Sequence, residues 1–188
     1  MKGRRKIILA VAVLLIVISG SMLLWDYLRQ HESEKIYEEL ASQVEETTET
    51  AEEAETEEEY VSPINFEELW AINEDVVGWI YVEAVPDINY PIVHGTDNET
   101  YLHRTYEKNY NFAGTIFVDY ENKGDFSDCN TLVYGHNMKN GSMFAQLKKF
   151  SQNEETYKKS KYFWIFTPEK NYRYEIISAY TTGVNSDT

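Results

Sequence analysis

The hydrophobic pattern of this chain changes along its length, and its first feature is a long apolar run. Residues 7–24 carry no charge, and these 18 residues would extend about 27 Å as an α-helix. That length nearly fills a hydrocarbon core about 30 Å thick, and Trp25 follows where an interface would lie. A transmembrane signal anchor over residues 7–25 is therefore predicted. A cleaved signal peptide is the competing interpretation, but no small-x-small cleavage site follows the run.

Beyond residue 60 the pattern changes to short runs. Asn65 can cap a helix in which Phe66, Leu69 and Trp70 share one face, with Glu68 placed as in a capping box. Runs of β type follow at residues 76–82, 88–93, 115–119, 131–136, 162–167 and 172–180. Short helices are expected near residues 100–103, 143–149 and 154–158. Six strands with few helices predict a mainly β fold, a small barrel or a sandwich.

Charge adds a tether to this picture. The net charge is −15, and nine glutamates with no basic residue lie in residues 45–59. We expect this segment to stay solvated as a spacer, with an acidic interaction tail as the alternative. Four zones result: a basic cytoplasmic stub (1–6), the anchor (7–25), a stalk ending in the acidic tether (26–60) and a globular portion (61–188). The basic stub predicts a cytoplasmic N-terminus and an extracellular globular portion, and nothing suggests nucleic-acid binding.

The most informative segment for chemistry is Asn130 to Met138. A short apolar run ending at Tyr134 reads as a buried strand whose end presents the imidazole of His136, placed for acid–base work. Gly135 would allow close backbone approach, and Asn137 would orient the ring or donate to a substrate carbonyl. Taken alone, His136 reads more simply as a structural, hydrogen-bonded histidine.

Other chemistries have weaker support. Cys129 is the only cysteine, which excludes an intrachain disulfide and a thiolate metal cluster. If the seven residues to His136 are extended, the two lie roughly 20 Å apart, too far for a thiol–imidazole pair. A metal site from His94, His103 and His136 matches no familiar ligand spacing. Ser142 has no G-x-S-x-G context and is expected to cap the next helix.

Several blocks in fixed order resemble the class B sortases, membrane-anchored cysteine transpeptidases of Gram-positive bacteria. The resemblance runs from about Phe66 to Thr188. Its blocks are residues 73–80 (NEDVVGWI), 88–93 (INYPIV), 97–102 (DNETYL), 114–120 (GTIFVDY), 125–128 (DFSD), 130–138 (NTLVYGHNM) and 141–144 (GSMF). The order and spacing of these blocks carry the match, since each motif alone is weak.

The resemblance implies a sortase β-barrel with an N-terminal helical extension, of which this chain would hold about six of eight strands. It also implies a catalytic role for His136, and places Asn98 and Leu102 in the groove that binds the sorting signal. The family cleaves a Thr–Gly or Thr–Asn bond through a thioacyl-enzyme, which an amine of a cell-wall precursor or pilin resolves, with no cofactor or metal. Surface proteins that bear sorting signals are the implied partners.

One departure from the family is large. The family's cysteine, in a Thr-Leu-x-Cys setting, lies roughly ninety residues after its histidine, and its arginine lies later still. The resemblance places both beyond Thr188, so we expect this chain to be inactive alone, as a fragment or truncated form of a sortase. Two alternatives stay open: a pseudoenzyme that binds sorting signals without cleaving them, and a membrane-tethered binding domain that shares only the barrel.

Overall fold

The computed structural model describes residues 2–48 and 60–183, without the side chains of some residues in the first helix. That helix, α1, spans Lys2–Thr48. The predicted anchor begins at residues 7–10, whose side chains are among those not described. Within the described residues, no helix has both the length and the apolar character needed to cross a membrane. Most of the acidic tether, residues 49–59, lies outside the described part of the chain.

One six-stranded sheet forms the frame of the globular portion. Its strands are β1 (Val76–Val82), β2 (Asn89–His94), β3 (Ile116–Val118), β4 (Val133–Tyr134), β5 (Tyr162–Phe166) and β6 (Asn171–Glu175). They lie in the order β4-β3-β2-β1-β5-β6, and only β2 and β3 run parallel among these neighbours. The prediction of a mainly β fold with six strands is confirmed, and β4 and β6 form the two edges of the sheet described.

The centre of the sheet is its hydrophobic core. Five of the seven residues of β1 and five of the six of β2 are buried, as expected for strands covered on both faces. Trp79 of β1 is fully buried, and its indole N–H donates to the side-chain oxygen of Asn89 at 2.5 Å. This bond satisfies the one polar group of the largest core side chain.

Short helices cover the ends of the sheet. They are α2 (Phe66–Ile72), α3 (Lys148–Gln152) and α4 (Glu154–Lys159), with 3₁₀ helices at Thr100–Leu102 and Phe144–Leu147. Asn65 caps α2 as predicted, because its side chain accepts a hydrogen bond from the Glu68 N–H at 3.3 Å. Phe66 and Leu69 are buried, but Trp70 is 39% exposed and instead donates to the Val76 carbonyl at 2.8 Å. The expected apolar face of α2 is thus narrower than predicted.

A contact between α1 and the sheet was missed by the sequence reading, which placed Tyr37 in the stalk. Tyr37 is 4% exposed, its ring meets Tyr90 edge-on at 5.3 Å, and its hydroxyl donates to the Gly114 carbonyl at 2.7 Å. Burial raises the pKa of this phenol, which therefore stays a neutral donor. This part of α1 consequently packs as a member of the globular core.

Two strands differ from their predictions. β4 was expected to be a buried strand over residues 131–136, but it has only two residues, a half-buried Val133 and an exposed Tyr134. β6 was expected to reach Tyr180 but ends at Glu175. Both are edge strands of the sheet, where an apolar run does not by itself imply burial. The four inner strands therefore agree with the predicted β fold, and the two edge strands are shorter than predicted.

Candidate active site

His136 lies two residues after β4, where the chain passes through a tight space at Gly135. A Cβ at Gly135 would lie 2.4 Å from Ile116 Cδ1 and 2.6 Å from Phe144 Cδ2, closer than atoms can approach. Only glycine fits between these two side chains, which confirms the predicted close backbone approach at this position. The packing fixes the path of the chain that carries the imidazole.

Hydrogen bonds hold the loop after His136 to itself and to the core. The His136 carbonyl accepts a hydrogen bond from the Phe144 N–H at 2.9 Å, and Asn137 forms an antiparallel bridge with Met143. Met143 is 1% exposed and has a φ of 55°, a left-handed conformation unusual for a side chain of this size. Its N–H donates to the hydroxyl of Tyr90 at 3.1 Å. The backbone on both sides of the imidazole is therefore held.

Two rings contact His136, and a third ring flanks one of them. The His103 ring centroid lies 5.9 Å away and that of Phe112 6.2 Å away. His103 and Phe112 stack on each other at 6.2 Å and 19°, and Tyr110 flanks His103 at 6.3 Å. We call His103, Tyr110 and Phe112 the aromatic platform. The sequence patterns did not predict this platform, although His103 followed by the alternating Tyr110 and Phe112 was a usable signal.

The environment of His136 favours its neutral form. The side chain is half-buried, and burial lowers the pKa below its usual value near 6.5. The neighbouring His103 lowers the pKa further, because two imidazolium charges would repel each other. A neutral imidazole can accept a proton, which is the requirement for a general base near neutral pH.

Asp119, directly after β3, joins the segments that flank the site. Its carboxylate accepts hydrogen bonds from the Tyr134 hydroxyl and the Asn98 side-chain amide, both at 2.9 Å, and from the Glu121 N–H, also at 2.9 Å. The pKa of Asp119 lies below its usual range, mainly through the Glu121 N–H and next through Tyr134. An ionised Asp119 thereby fixes Tyr134, two residues before His136.

The predicted groove residues take different positions. Asn98 is half-buried, and its side chain both donates to Asp119 and accepts from the Tyr120 N–H at 3.0 Å. Leu102 is partly buried against the core at the end of a 3₁₀ helix, next to His103 of the aromatic platform. Asn137 is exposed beside His136. The contacts of these three residues with a substrate remain predictions.

The remaining candidates from the sequence are Cys129, Ser142 and a metal site. Cys129 is exposed on the loop before β4. Ser142 does not cap the following helix as predicted, because its hydroxyl donates instead to the Asn140 side-chain oxygen at 2.9 Å. Among the described residues, no group of three or more histidine, cysteine, aspartate or glutamate side chains is arranged to hold a metal ion.

A cavity of about 880 Å³ opens on one face of the sheet, next to the site. Its walls combine apolar side chains of β1, β4, β5 and the 3₁₀ helix at Phe144–Leu147 with polar side chains of the flanking loops and of the segment after β6; the apolar ones include Ile80, Val82, Val133, Phe144, Phe163 and Ile165. Asn137 and Cys129 also line it, which places the loop of His136 at the cavity.

Comparisons with a protein-family model and with individual proteins both match this chain to the sortases. The sequence model of the sortase domain family matches residues 80–187, more than half of the chain. Sortase B of Listeria monocytogenes is 39% identical over 61% of this chain and 46% of that protein. The chain thus spans about half the length of this relative.

Solved structures agree with the sequence comparison. The Bacillus anthracis sortase B in complex with AAEK1 is 33% identical, with a TM-score of 0.62 over 86% of this chain and 76% of that one. The Staphylococcus aureus sortase B–substrate complex is 28% identical, with a TM-score of 0.71 over 85% of this chain and 70% of that one. The curled six-stranded sheet is therefore the sheet of the sortase fold.

Proposed function

This chain belongs to the sortase family as a class B member, and we propose that His136 is the acid–base residue of its transpeptidation reaction. The observations that support this role most are the half-buried imidazole, whose pKa lies below its usual value, the confined backbone at Gly135 and the ring contacts with His103 and Phe112. Sortases are cysteine transpeptidases, and their chemistry needs such a group next to a thiol.

In the proposed reaction, His136 takes the proton of a cysteine thiol, and the resulting thiolate attacks the carbonyl carbon of a Thr–Gly or Thr–Asn bond in a sorting signal. The carbon–nitrogen bond breaks, and the imidazolium of His136 gives its proton to the departing amine, leaving a thioacyl-enzyme. An amine of a cell-wall precursor or pilin then attacks the thioester, and His136 accepts the proton of that amine while sulfur leaves as thiolate. An arginine stabilises the oxyanion in both steps.

The thiolate and the arginine of this reaction come, in our proposal, from outside the 188 residues. Cys129 is the only cysteine in the sequence, and it is exposed, seven residues before His136 on the far side of β4. Without a thiol in contact, His136 has no nucleophile to activate. We therefore propose that the 188-residue chain binds a sorting signal but does not cleave it.

The proposed substrate site consists of the predicted groove residues and the aromatic platform. Leu102 directly precedes His103 of the platform, Asn98 lies four residues before Leu102, and the platform contacts His136 through His103 and Phe112. The Staphylococcus aureus relative is described as a sortase B–substrate complex, which supports a peptide substrate for this chain. Surface proteins with a sorting signal are the proposed partners, and no cofactor enters the reaction.

We also propose that the domain acts on the outer face of the cell membrane, anchored through residues 7–25. The support is the sequence: basic residues 2–6 precede the apolar run, and acidic sequence follows it. Protease treatment of intact cells tests this placement. Degradation of the globular portion with retention of a short membrane-bound stub is expected, whereas full protection of the chain would contradict it.

A peptide experiment tests the proposed function. The 188-residue chain is mixed with a fluorescent sorting-signal peptide and a triglycine amine. Saturable binding seen by fluorescence anisotropy, without cleavage, is expected. Cleavage that survives Cys129→Ala would overturn the proposal, because it would require a nucleophile other than a cysteine. A scrambled peptide of the same composition is the matched control and should not bind.

A further inference from the structure

The aromatic platform has a rigid backbone. The Asn111 N–H donates to the His103 carbonyl at 2.9 Å, and Thr115 Oγ1 donates to the Arg104 carbonyl at 2.7 Å. Gly114 has a φ of 63°, and a Cβ there would lie 2.5 Å from the Tyr101 carbonyl oxygen. The two limbs of this loop therefore lie too close for any residue but glycine, and the backbone positions that carry the rings are fixed.

The rings of the platform are exposed, although they are large. Tyr110 is 67% exposed and Phe112 is 50% exposed, and His103 is also exposed. Rings this exposed add little buried apolar area to the core. What they share is their position: His103 and Phe112 both lie within ring-contact distance of His136.

We propose that His103 is a positioning residue, which with Phe112 forms a ring stack that holds the imidazole of His136 in one orientation. This inference rests on the proposed acid–base role of His136. The backbone of His136 is fixed by the Phe144 N–H and by the packing at Gly135, but these contacts leave rotation of the imidazole free. The ring contacts with His103 and Phe112 restrict that rotation, and a general base acts well only when its nitrogen is aimed at the proton.

The electrostatics act in the same direction. Of the titratable groups in the described residues, His103 is the one that acts on the pKa of His136, and it lowers that pKa. The other neighbours of the ring and its backbone, Phe112 and Phe144, carry no charge. His103 therefore both orients the imidazole of His136 and disfavours its protonation.

Nuclear magnetic resonance of the isotope-labelled 188-residue chain tests this positioning. In the unmodified chain, we expect nuclear Overhauser contacts between the His136 and Phe112 rings. His103→Ala should remove these contacts and move the His136 titration midpoint to higher pH. His103→Phe keeps a ring but no charge, so it should retain the contacts while still raising the midpoint.

Matched variants control for loss of structure. Phe112→Leu should weaken the His136 contacts with His103, whereas Tyr120→Leu, at a side chain of similar exposure (49%), should change neither contacts nor midpoint. Amide signals of β1 and β2 report whether each variant remains folded.

Two results would overturn the proposal. One is His103→Ala with unchanged ring contacts or an unmoved midpoint; the other is His103→Phe losing the contacts as fully as His103→Ala. None of these readouts requires turnover or peptide binding, so this inference can fail while the proposed transpeptidation stands, and the reverse.

Discussion

Strands β1 and β4 belong to one sheet, yet different forces hold them. β1 lies between β2 and β5, and five of its seven residues are buried. β4 has two residues, neither of them buried, and it pairs with β3 at an edge of the described sheet. Burial of apolar area therefore stabilises β1, whereas β4 depends on hydrogen bonds.

Those hydrogen bonds come from the loop before β4. Asn122 accepts from the Leu132 N–H at 2.8 Å and donates to the Asn130 carbonyl at 2.8 Å. The Asp119 N–H donates to the Leu132 carbonyl at 2.9 Å, and its carboxylate holds Tyr134. The candidate active site thus follows a strand held by polar contacts, while the packing at Gly135 ties it to the core.

Trp79→Ala should give the largest effect, because it empties the fully buried centre of β1. We expect a loss of roughly 3–5 kcal/mol in the free energy of unfolding, measured by chemical denaturation. Tyr180→Ala, at a side chain 63% exposed, is the control and should change stability by no more than about 0.5 kcal/mol. Similar losses for both variants would mean that the sheet centre is not the core.

Gly135→Ala should give the next largest effect, since its Cβ would collide with Ile116 and Phe144. Overpacking of this kind costs about 1–3 kcal/mol, and here it should displace His136 as well. Gly183→Ala is the control, because nothing lies within 4 Å of a Cβ at that position. Equal stability of the two variants would show that Gly135 is not confined.

Tyr134→Phe removes one hydrogen bond of the polar edge and keeps the ring. A loss of about 0.5–1 kcal/mol is expected, near the lower part of the usual range because Tyr134 is 38% exposed. Hydrogen exchange of β4 amides should accelerate, while that of β1 amides should not. Faster exchange in both strands would remove the distinction between them.

The difference between the unmodified chain and Tyr134→Phe should depend on pH. The folded pKa of Asp119 lies below its usual value of 3.8. The stabilisation that its ionised carboxylate gives through Tyr134 is therefore fully present above that pH. The contribution is lost as the pH falls below 3.8 through the depressed folded pKa. Unfolding curves of both chains between pH 2 and pH 6 should therefore converge at the acidic end, and a constant difference would contradict the role of Asp119.

Cys129→Ser should have the smallest effect. The side chain is exposed on a loop, so stability should change by no more than about 0.5 kcal/mol. Binding of the fluorescent sorting peptide should also be unchanged. Loss of binding would bring this cysteine into the site.

The sequence predicted the inner sheet better than the active-site edge. Val76–Val82 was predicted to the residue, because its near-continuous apolar character matches a strand covered on both faces. The apolar run before Gly135 looked equally buried, but hydrogen bonds from Asp119 and Asn122 hold it at an edge. Periodicity carries no information about such bonds, so the burial of β4 was predicted wrongly.

The site shows the same division. Gly135 and His136 were found as neighbours in sequence, and Gly135 was predicted to allow a close approach to its backbone, where Ile116 and Phe144 lie. The aromatic platform was missed because His103 and Phe112 reach His136 only through the folded loop around Gly114. Tyr37 was missed for a related reason, since it stands among glutamates and only the docking of α1 against the sheet buries it.

The most direct test of the central claim, that His136 is the acid–base residue of a class B sortase, is a chimera. The segment of the Listeria monocytogenes sortase B that follows its match to this chain, in which the family resemblance places the cysteine and arginine, is joined after Thr188. Transpeptidation of a sorting peptide to triglycine is then measured as kcat/KM. The account predicts activity that falls about 10²–10⁴-fold in His136→Ala and is unchanged in Cys129→Ala. Full activity in His136→Ala, or its loss in Cys129→Ala, would contradict the account.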